Sequence, residues 1–238
     1  MSELSRLWPE GPLFAQAEHF KLSTDSVLLA DFVRIGSSRR GIDLGCASGI
    51  LGLLLLTKSE KLSMTGIELL PEAAALAEEN FSVNGLSDRA ETVRGDLRRA
   101  RELFPSGSFD LVVSNPPYYP TGAGAVSPDA GRAGARSETT CTLEDVCAAA
   151  EYLCRTGGRF CLSGKPERLS EVVFCLVSHG FEPKRLRFSV SKTGKSPSLF
   201  FLEGLRGGGV GLTIEPELRL CNDDGSESEE YRRIYHRL

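Results

Sequence analysis

The sequence has little that would hold it in a membrane or carry it out of the cell. Its longest unbroken apolar run, residues 50–56 with Gly52 inside, is far short of the ~18 residues that a membrane span requires. The opening residues, MSELSRLWPEG, lack the apolar stretch of a secretory signal. An excess of basic residues is also missing. With 28 Lys and Arg against 32 Asp and Glu the net charge is −4, so the chain as a whole is no polyanion binder of the histone kind. Histidine is scarce, at His19, His179 and His236, and no CxxC pair or His-rich tract exists, so no metal is expected. The seven cysteines are odd in number and irregularly spaced, which argues against a disulfide framework. They read as reduced, buried thiols that act as small hydrophobes, and no histidine is read as a partner for any of them. The expectation is a soluble cytoplasmic protein.

What is present is the composition of an ordinary globular chain. Of its 238 residues 41% are hydrophobic and 25% charged, which is too apolar for disorder. Folding should bury roughly 70–75% of the unfolded surface, so the core needs no staple. From Gly41 onward strand-like and helix-like segments alternate. Ile42-Asp43-Leu44 enters a glycine-rich turn, followed by the apolar segment Ile50–Thr57; residues 64–69 are a second strand. Pro71 opens, and Gly85 ends, a helical stretch with the expected punctuation. Residues 91–94 and Phe109–Ser114 read as further strands, 143–155 as a helix, 158–163 as a strand and 166–178 as a helix. Residues 184–191 and 198–205 follow without a helix between them, which predicts an antiparallel pair at one edge. The fold class is therefore α/β: a mostly parallel sheet covered by helices on both faces. One domain over 1–238 is expected. Residues 1–40 form an extension on the sheet, with an N-cap signature at Thr24 and Asp25, and 206–238 form a C-terminal tail. The segment 120–140, rich in Gly, Ala, Ser and Pro, reads as a long loop.

The strongest local signal is Asp43-Leu44-Gly45-Cys46-Ala47-Ser48-Gly49 at a strand-to-helix junction. Glycines there let the backbone approach a ligand and turn tightly into the helix. Glu68 closes the next strand, where a nucleoside-binding fold places an acid to accept both ribose hydroxyls. No Gly-Lys-Ser/Thr element follows the turn, and Asp43 would repel a pyrophosphate but suit a cation. That favours S-adenosylmethionine, a sulfonium with an amino-acid zwitterion. The third strand ends in Gly95-Asp96, where Asp96 can accept from an adenine amino group or cap the helix after it.

Ser114-Asn115-Pro116-Pro117-Tyr118 ends the fourth strand, outside the carboxyl edge of the sheet where open α/β folds bind ligands. These residue types suit one problem. An adenine or carboxamide nitrogen is a poor nucleophile because its lone pair is delocalised. Two acceptors, the Asn115 side-chain oxygen and the Pro116 carbonyl, would take its two hydrogens, aim the lone pair and stabilise the charge that grows on nitrogen. The prolines fix φ and remove competing donors. Tyr118 offers a flat face for an extracted base.

With these residues in view, the chain resembles class I S-adenosylmethionine-dependent methyltransferases that methylate amino nitrogens. It is similar in particular to the bacterial valine-tRNA adenine-N(6) methyltransferases, which modify the adenosine just 3′ of the anticodon. The likeness runs through FKLSTDSVLL at 20–29, DLGCASG, GIEL and SNPPYY, then Ala135-Arg136-Ser137-Glu138 and residues 229–235. Ala47 stands where a third glycine is common, and Ser137 where a histidine often lies. The resemblance implies a Rossmann-like fold. The candidate cofactor residues are Asp43, Gly45, Cys46, Ala47, Gly49, Glu68, Leu69, Asp96, Leu97 and Asn115; the candidate catalytic residues are Asn115, Pro116, Pro117 and Tyr118. Methylation of guanine in ribosomal RNA, methylation of a protein glutamine, and a catalytically silent RNA-binding or partner subunit are the alternatives.

Charge is uneven along the chain. Lys184, Arg185, Arg187, Lys192 and Lys195 fall in 184–195 with no acid, whereas 215–230 holds seven acids against Arg219 alone. The basic segment, with Arg132 and Arg136, is the candidate surface for tRNA phosphates.

Overall fold

The structure is a computed structural model and describes residues 3–116 and 141–237. Its centre is built from β3 (Arg40–Leu44), β4 (Ser63–Glu68), β5 (Ala90–Arg94), β6 (Phe109–Ser114) and β7 (Cys154–Gly164), all parallel. Then β9 (Leu199–Arg206) runs antiparallel between β7 and β8 (Phe181–Val190). The order is β5-β4-β3-β6-β7-β9-β8. The antiparallel pair forms as the sequence predicts, but β8 is not the edge. Two short strands, β10 (Thr213–Ile214) and β11 (Leu218–Arg219), pair with its outer side.

Buried on both faces, the central strands need near-continuous apolar stretches. Alternate residues divide between two cores: Leu111 and Val113 of β6 join α1 (Thr24–Phe32), α2 (Ile50–Thr57) and α3 (Pro71–Val83). Val112 between them joins α5 (Leu143–Leu153) and α6 (Leu169–Ser178) in the other core. The short α4 (Ala100–Leu103) follows a 3-10 turn over Leu97–Arg99. A reciprocal cap between Thr142 and Asp145 starts α5. The cap of α1 differs from expectation. Thr24 and Asp25 already lie within the helix, so Ser23 stands at the cap position, without a side-chain bond to the helix amides.

Both flanking regions carry more structure than their sequences announce. Residues 206–238, expected as a tail, contribute β10, β11 and α7 (Glu229–Ile234), whose Ile234 enters the core beneath α1. Near the N-terminus, β1 (Glu3–Arg6) and β2 (Leu13–Gln16) form an antiparallel hairpin. Two asparagines one turn apart, Asn80 in α3 and Asn84 at its C-cap, dock β2 by imitating a neighbouring strand. Asn84 accepts from Leu13 N at 2.8 Å and donates to Leu13 O at 2.7 Å. Asn80, fully buried, accepts from Ala15 N at 2.6 Å and donates to Ala15 O at 3.1 Å. Its amide also donates to Ser48 O at 2.9 Å, in the turn after β3.

Replacing Asn80 with Ala strands the Ala15 amide and two carbonyls, each at a typical cost of ~1–3 kcal/mol. The Asn80→Ala variant is expected to lose at least ~3 kcal/mol in denaturant unfolding, with early hydrogen exchange at Ala15. Unchanged exchange there would mean that the hairpin docks by other contacts.

Candidate active site

In this sheet the connections lead from β3 to β4 on one side, while β6 lies on the other. The carboxyl ends of the strands diverge at such a switch point and leave a crevice. A cavity of about 320 Å³ opens there, with Gly45, Ala47, Glu68, Asp96, Asn115 and Pro116 in its wall. A larger hollow of about 830 Å³ lies away from these strand ends, around Trp8, Lys58, Arg89 and Arg233. Its cations are already engaged: Lys58 on Ala30 O, Arg89 on Leu62 O and Arg233 on Asp31. The chemistry-bearing residues converge on the smaller cavity.

The turn after β3 takes the left-handed region three times, at Gly45 (φ 76°), Ala47 (φ 47°) and Gly49 (φ 77°). A Cβ at Gly45 would meet nothing within 4 Å, so this backbone is bare toward the cavity. At Gly49 the reason is packing, since a Cβ there would sit 3.0 Å from the Ala77 Cβ on α3. Ala47 bears the methyl where its conformation favours glycine, at a cost of ~1 kcal/mol or more. Its amide is compensated by donating to Glu68 Oε2 at 2.9 Å. The other carboxylate oxygen of Glu68 accepts from Leu70 N at 2.8 Å, ahead of α3. Glu68 thus pins the turn and the next helix together while lining the cavity.

Asp43 is buried behind this wall. Burial pushes its carboxyl up to about 8, and the nearby charge of Glu68 adds to the rise. Asp96 lines the cavity and caps the 3-10 turn, accepting from Arg98 N at 3.0 Å. The Arg98 guanidinium bonds to the same carboxyl and lowers its pKa. Leu69 and Leu97 line the cavity. Cys46 does not. Its thiol turns under β4, where only a glycine fits, because a Cβ at Gly66 would fall 2.5 Å from Cys46 Sγ.

Asn115 is held at both ends of its amide. It donates through Nδ2 to Ser26 Oγ at 3.0 Å and accepts at Oδ1 from Ser163 Oγ at 2.6 Å. Ser26 comes from α1 and Ser163 from β7, so two elements fix the plane of one side chain. Ser114 donates to Leu44 O at 2.9 Å and ties the ends of β6 and β3 together. Sequence reasoning missed Ser26 and Ser163, and also His19 and Phe20, which line the cavity from the N-terminal segment. Ser26 and Phe20 sit inside FKLSTDSVLL, so the motif is visible in the sequence but its contact is not. Pro117, Tyr118, Arg132 and Arg136 lie outside the described residues.

The basic segment needs correction. Arg185 is buried, with its guanidinium on Glu203 at 2.9 Å, Glu215 at 2.8 Å and Phe32 O at 3.1 Å. Burial opposes its charge, but the two carboxylates outweigh this and raise its pKa. Arg187 bonds to Glu230 at 2.8 Å and Pro216 O at 3.0 Å. The Lys184 ammonium reaches the Gly209 carbonyl. The acidic stretch after 214 therefore folds onto the basic one, and Arg185 and Arg187 serve the fold rather than an RNA surface. Lys192 and Lys195 are exposed in the turn between β8 and β9.

This sheet order, with a cavity at the switch point and an acid closing the second strand, defines a class I methyltransferase fold. The chain belongs to the methyltransferase small domain family, whose model matches residues 14–160. A protein of Tolumonas auensis named tRNA1(Val) (adenine(37)-N6)-methyltransferase is 29% identical over 89% of this chain and 86% of its own length. A protein of the same name from Yersinia pseudotuberculosis serotype O:3 is 34% identical, over 60% of this chain and 56% of its own length. Among solved structures, a predicted O-methyltransferase from Agrobacterium tumefaciens matches with a TM-score of 0.73 at 20% identity, over 90% of this chain and 96% of that one. The class uses S-adenosylmethionine, and the residues present fit it: a bare left-handed backbone at Gly45, an acid at Glu68, an acceptor at Asp96 and a buried acid at Asp43. No helix among the described residues is long and apolar enough to cross a membrane.

A carboxyl with a folded pKa of about 8 holds a proton that the unfolded chain releases above ~pH 4. The stability of the cofactor-free protein should therefore fall as pH rises between those values. Asp43→Asn is uncharged throughout. Its melting temperature is expected to exceed that of the parent by a margin that widens from about pH 5 to about pH 8, reaching ~5–10 °C. A flat margin would show that Asp43 stays ionised across the range.

Proposed function

We propose that the chain is an S-adenosylmethionine-dependent N-methyltransferase acting on the N6 amine of an adenine in tRNA, the adenosine 3′ of the valine anticodon. The observation that carries this reading is the clamped Asn115 amide at the end of β6, in the wall of one cavity with Glu68 and Asp96. The names of the relatives agree with it. A tRNA substrate would place the enzyme in the cytoplasm.

In this reading Glu68 accepts from the ribose hydroxyls and Asp96 from the adenine amino group of the cofactor. The bare Gly45 backbone admits its methionine end. Asp43 ionises as a cation settles near it, so cofactor binding below about pH 8 releases a proton. When bound, S-adenosylmethionine supplies a methyl group made electrophilic by the sulfonium. Asn115 Oδ1 and the Pro116 carbonyl take the two hydrogens of the target amine and turn its lone pair toward that methyl. Catalysis is then mainly positioning at a reaction distance of ~3–3.5 Å, with charge stabilisation by the same acceptors. Ser26 and Ser163 keep the Asn115 amide from rotating, so little reorganisation is left for the reacting state. Tyr118 offers the stacking face, and Pro117 keeps that corner free of a competing N–H.

Asn115→Ala is expected to retain S-adenosylmethionine binding by calorimetry and to lose at least ~10²–10³-fold in methyl transfer. Nucleoside mass spectrometry of bulk tRNA and rRNA, from cells with and without the chain, should show N6-methyladenosine lost from tRNA alone. Methylguanosine loss, or no RNA product, would overturn the assignment.

Lys192 and Lys195, the exposed members of the basic segment, are the phosphate contacts in this reading. Reversing both to Glu should weaken tRNA binding and flatten its salt dependence by about two charges, while cofactor affinity is kept. Unchanged tRNA affinity would move the RNA to another face.

A further inference from the structure

Away from the cavity, on facing sides of α5 and α6, stands a group of side chains that the methyltransferase reading does not use. Glu144 lies in the first turn of α5, while Cys175 is in α6 and His179 caps its end. One ligand atom from each lies within 4.8 Å of the others. His179 Nε2 is 2.8 Å from Glu144 Oε1, and Cys175 Sγ is 3.4 Å from Glu144 Oε2. The spacing has a helical cause. Cys175 and His179 are four residues apart and share one face of α6, as Glu144, Cys147 and Glu151 share one face of α5.

We propose that Glu144, Cys175 and His179 form a zinc site that clasps α5 to α6. Donors of thiolate, imidazole and carboxylate are the set that zinc takes, at bond lengths of ~2.0–2.3 Å. Such bonds put ligand atoms ~3.3–3.8 Å apart in a tetrahedron. Cys175 Sγ to Glu144 Oε2, at 3.4 Å, already falls there; His179 Nε2 faces the other oxygen, Oε1, at 2.8 Å, so the carboxylate turns to present one oxygen to the metal as it enters. Water takes the fourth position, since the Glu144 side chain is 70% exposed and leaves that side open to solvent. On coordination Cys175 gives its proton to water.

The second nitrogen of His179 supports the assignment. Nδ1 lies 2.8 Å from Glu151 Oε2, the carboxylate–histidine arrangement that fixes a metal-binding ring and its tautomer. Glu151 is thus a positioning residue. Cys147, one turn after Glu144 on α5, is buried in the core that also holds Cys175. Sequence reasoning passed over this cluster because it lacks a CxxC pair, although His179 follows Cys175 by one helical turn. The opposite side of α5 carries Val146 into the wall of the methyltransferase cavity, so the clasp would steady that wall.

The test is zinc titration of the reduced full-length chain, stripped with chelator, against a chromophoric competitor, with metal content measured after dialysis. One zinc per chain is expected, with a rise in melting temperature. Glu144→Gln, at a side chain that is 70% exposed, should weaken binding at least ~10-fold, and Cys175→Ser more. Glu151→Gln should cost ~10–100-fold through the ring orientation. With cobalt as the probe, a sulfur-to-metal absorption band should be present in the parent and absent in Cys175→Ser. Cys221→Ser, far from the group in sequence, should bind as the parent does. Absence of saturable binding, or full binding by both Glu144→Gln and Cys175→Ser, overturns the site.

Discussion

The candidate active site depends on holding one amide still. Asn115 stands one residue past the end of β6, outside the strand ladder. Left alone, its side chain would sample several rotamers, and each wrong one would present a donor where an acceptor is required. Ser26 and Ser163 remove that freedom by taking opposite ends of the amide. Ser163 accompanies the sheet itself, while Ser26 arrives from a helix that precedes the first central strand. The N-terminal segment is therefore part of the site, and the nearby placement of His19 and Phe20 has the same docking as its cause.

A second theme is the use of side chains as substitutes for backbone. Asn80 and Asn84 act as the missing neighbour of β2, and Glu68 supplies the acceptor that the left-handed Ala47 amide would otherwise lack. Through Ser48 the same Asn80 reaches the turn that faces the cavity. Arg185 works similarly on a larger scale: two carboxylates and a carbonyl surround its guanidinium, which lies 4.2 Å from the Phe32 ring centre. Burying such a cation is tolerable only because every face has a partner.

Much of this is legible in the chain. The alternation from β3 to β7 and the glycine turn can be read because parallel strands buried on both faces must be continuously apolar, and tight turns must be glycine-rich. The cavity can be placed from the order of these motifs alone. Contacts between distant segments cannot. The runs at 184–195 and 215–230 are each visible as a charged surface, and only the fold shows that they neutralise one another. Cys46 reads as a cofactor residue because its neighbours face that way, whereas the twist of the turn sends alternate side chains into the core. The short strands β10 and β11 are two residues each, below any periodicity.

The sealed position of Cys46 has a practical consequence. Its sulfur is shut between the turn and β4, next to Gly66, the one residue of β4 that has no side chain. A maleimide or similar electrophile cannot reach it unless the turn lifts from the sheet. The alkylation rate of this thiol is therefore a clock for the breathing of the pocket floor, one that runs slower whenever something occupies the pocket.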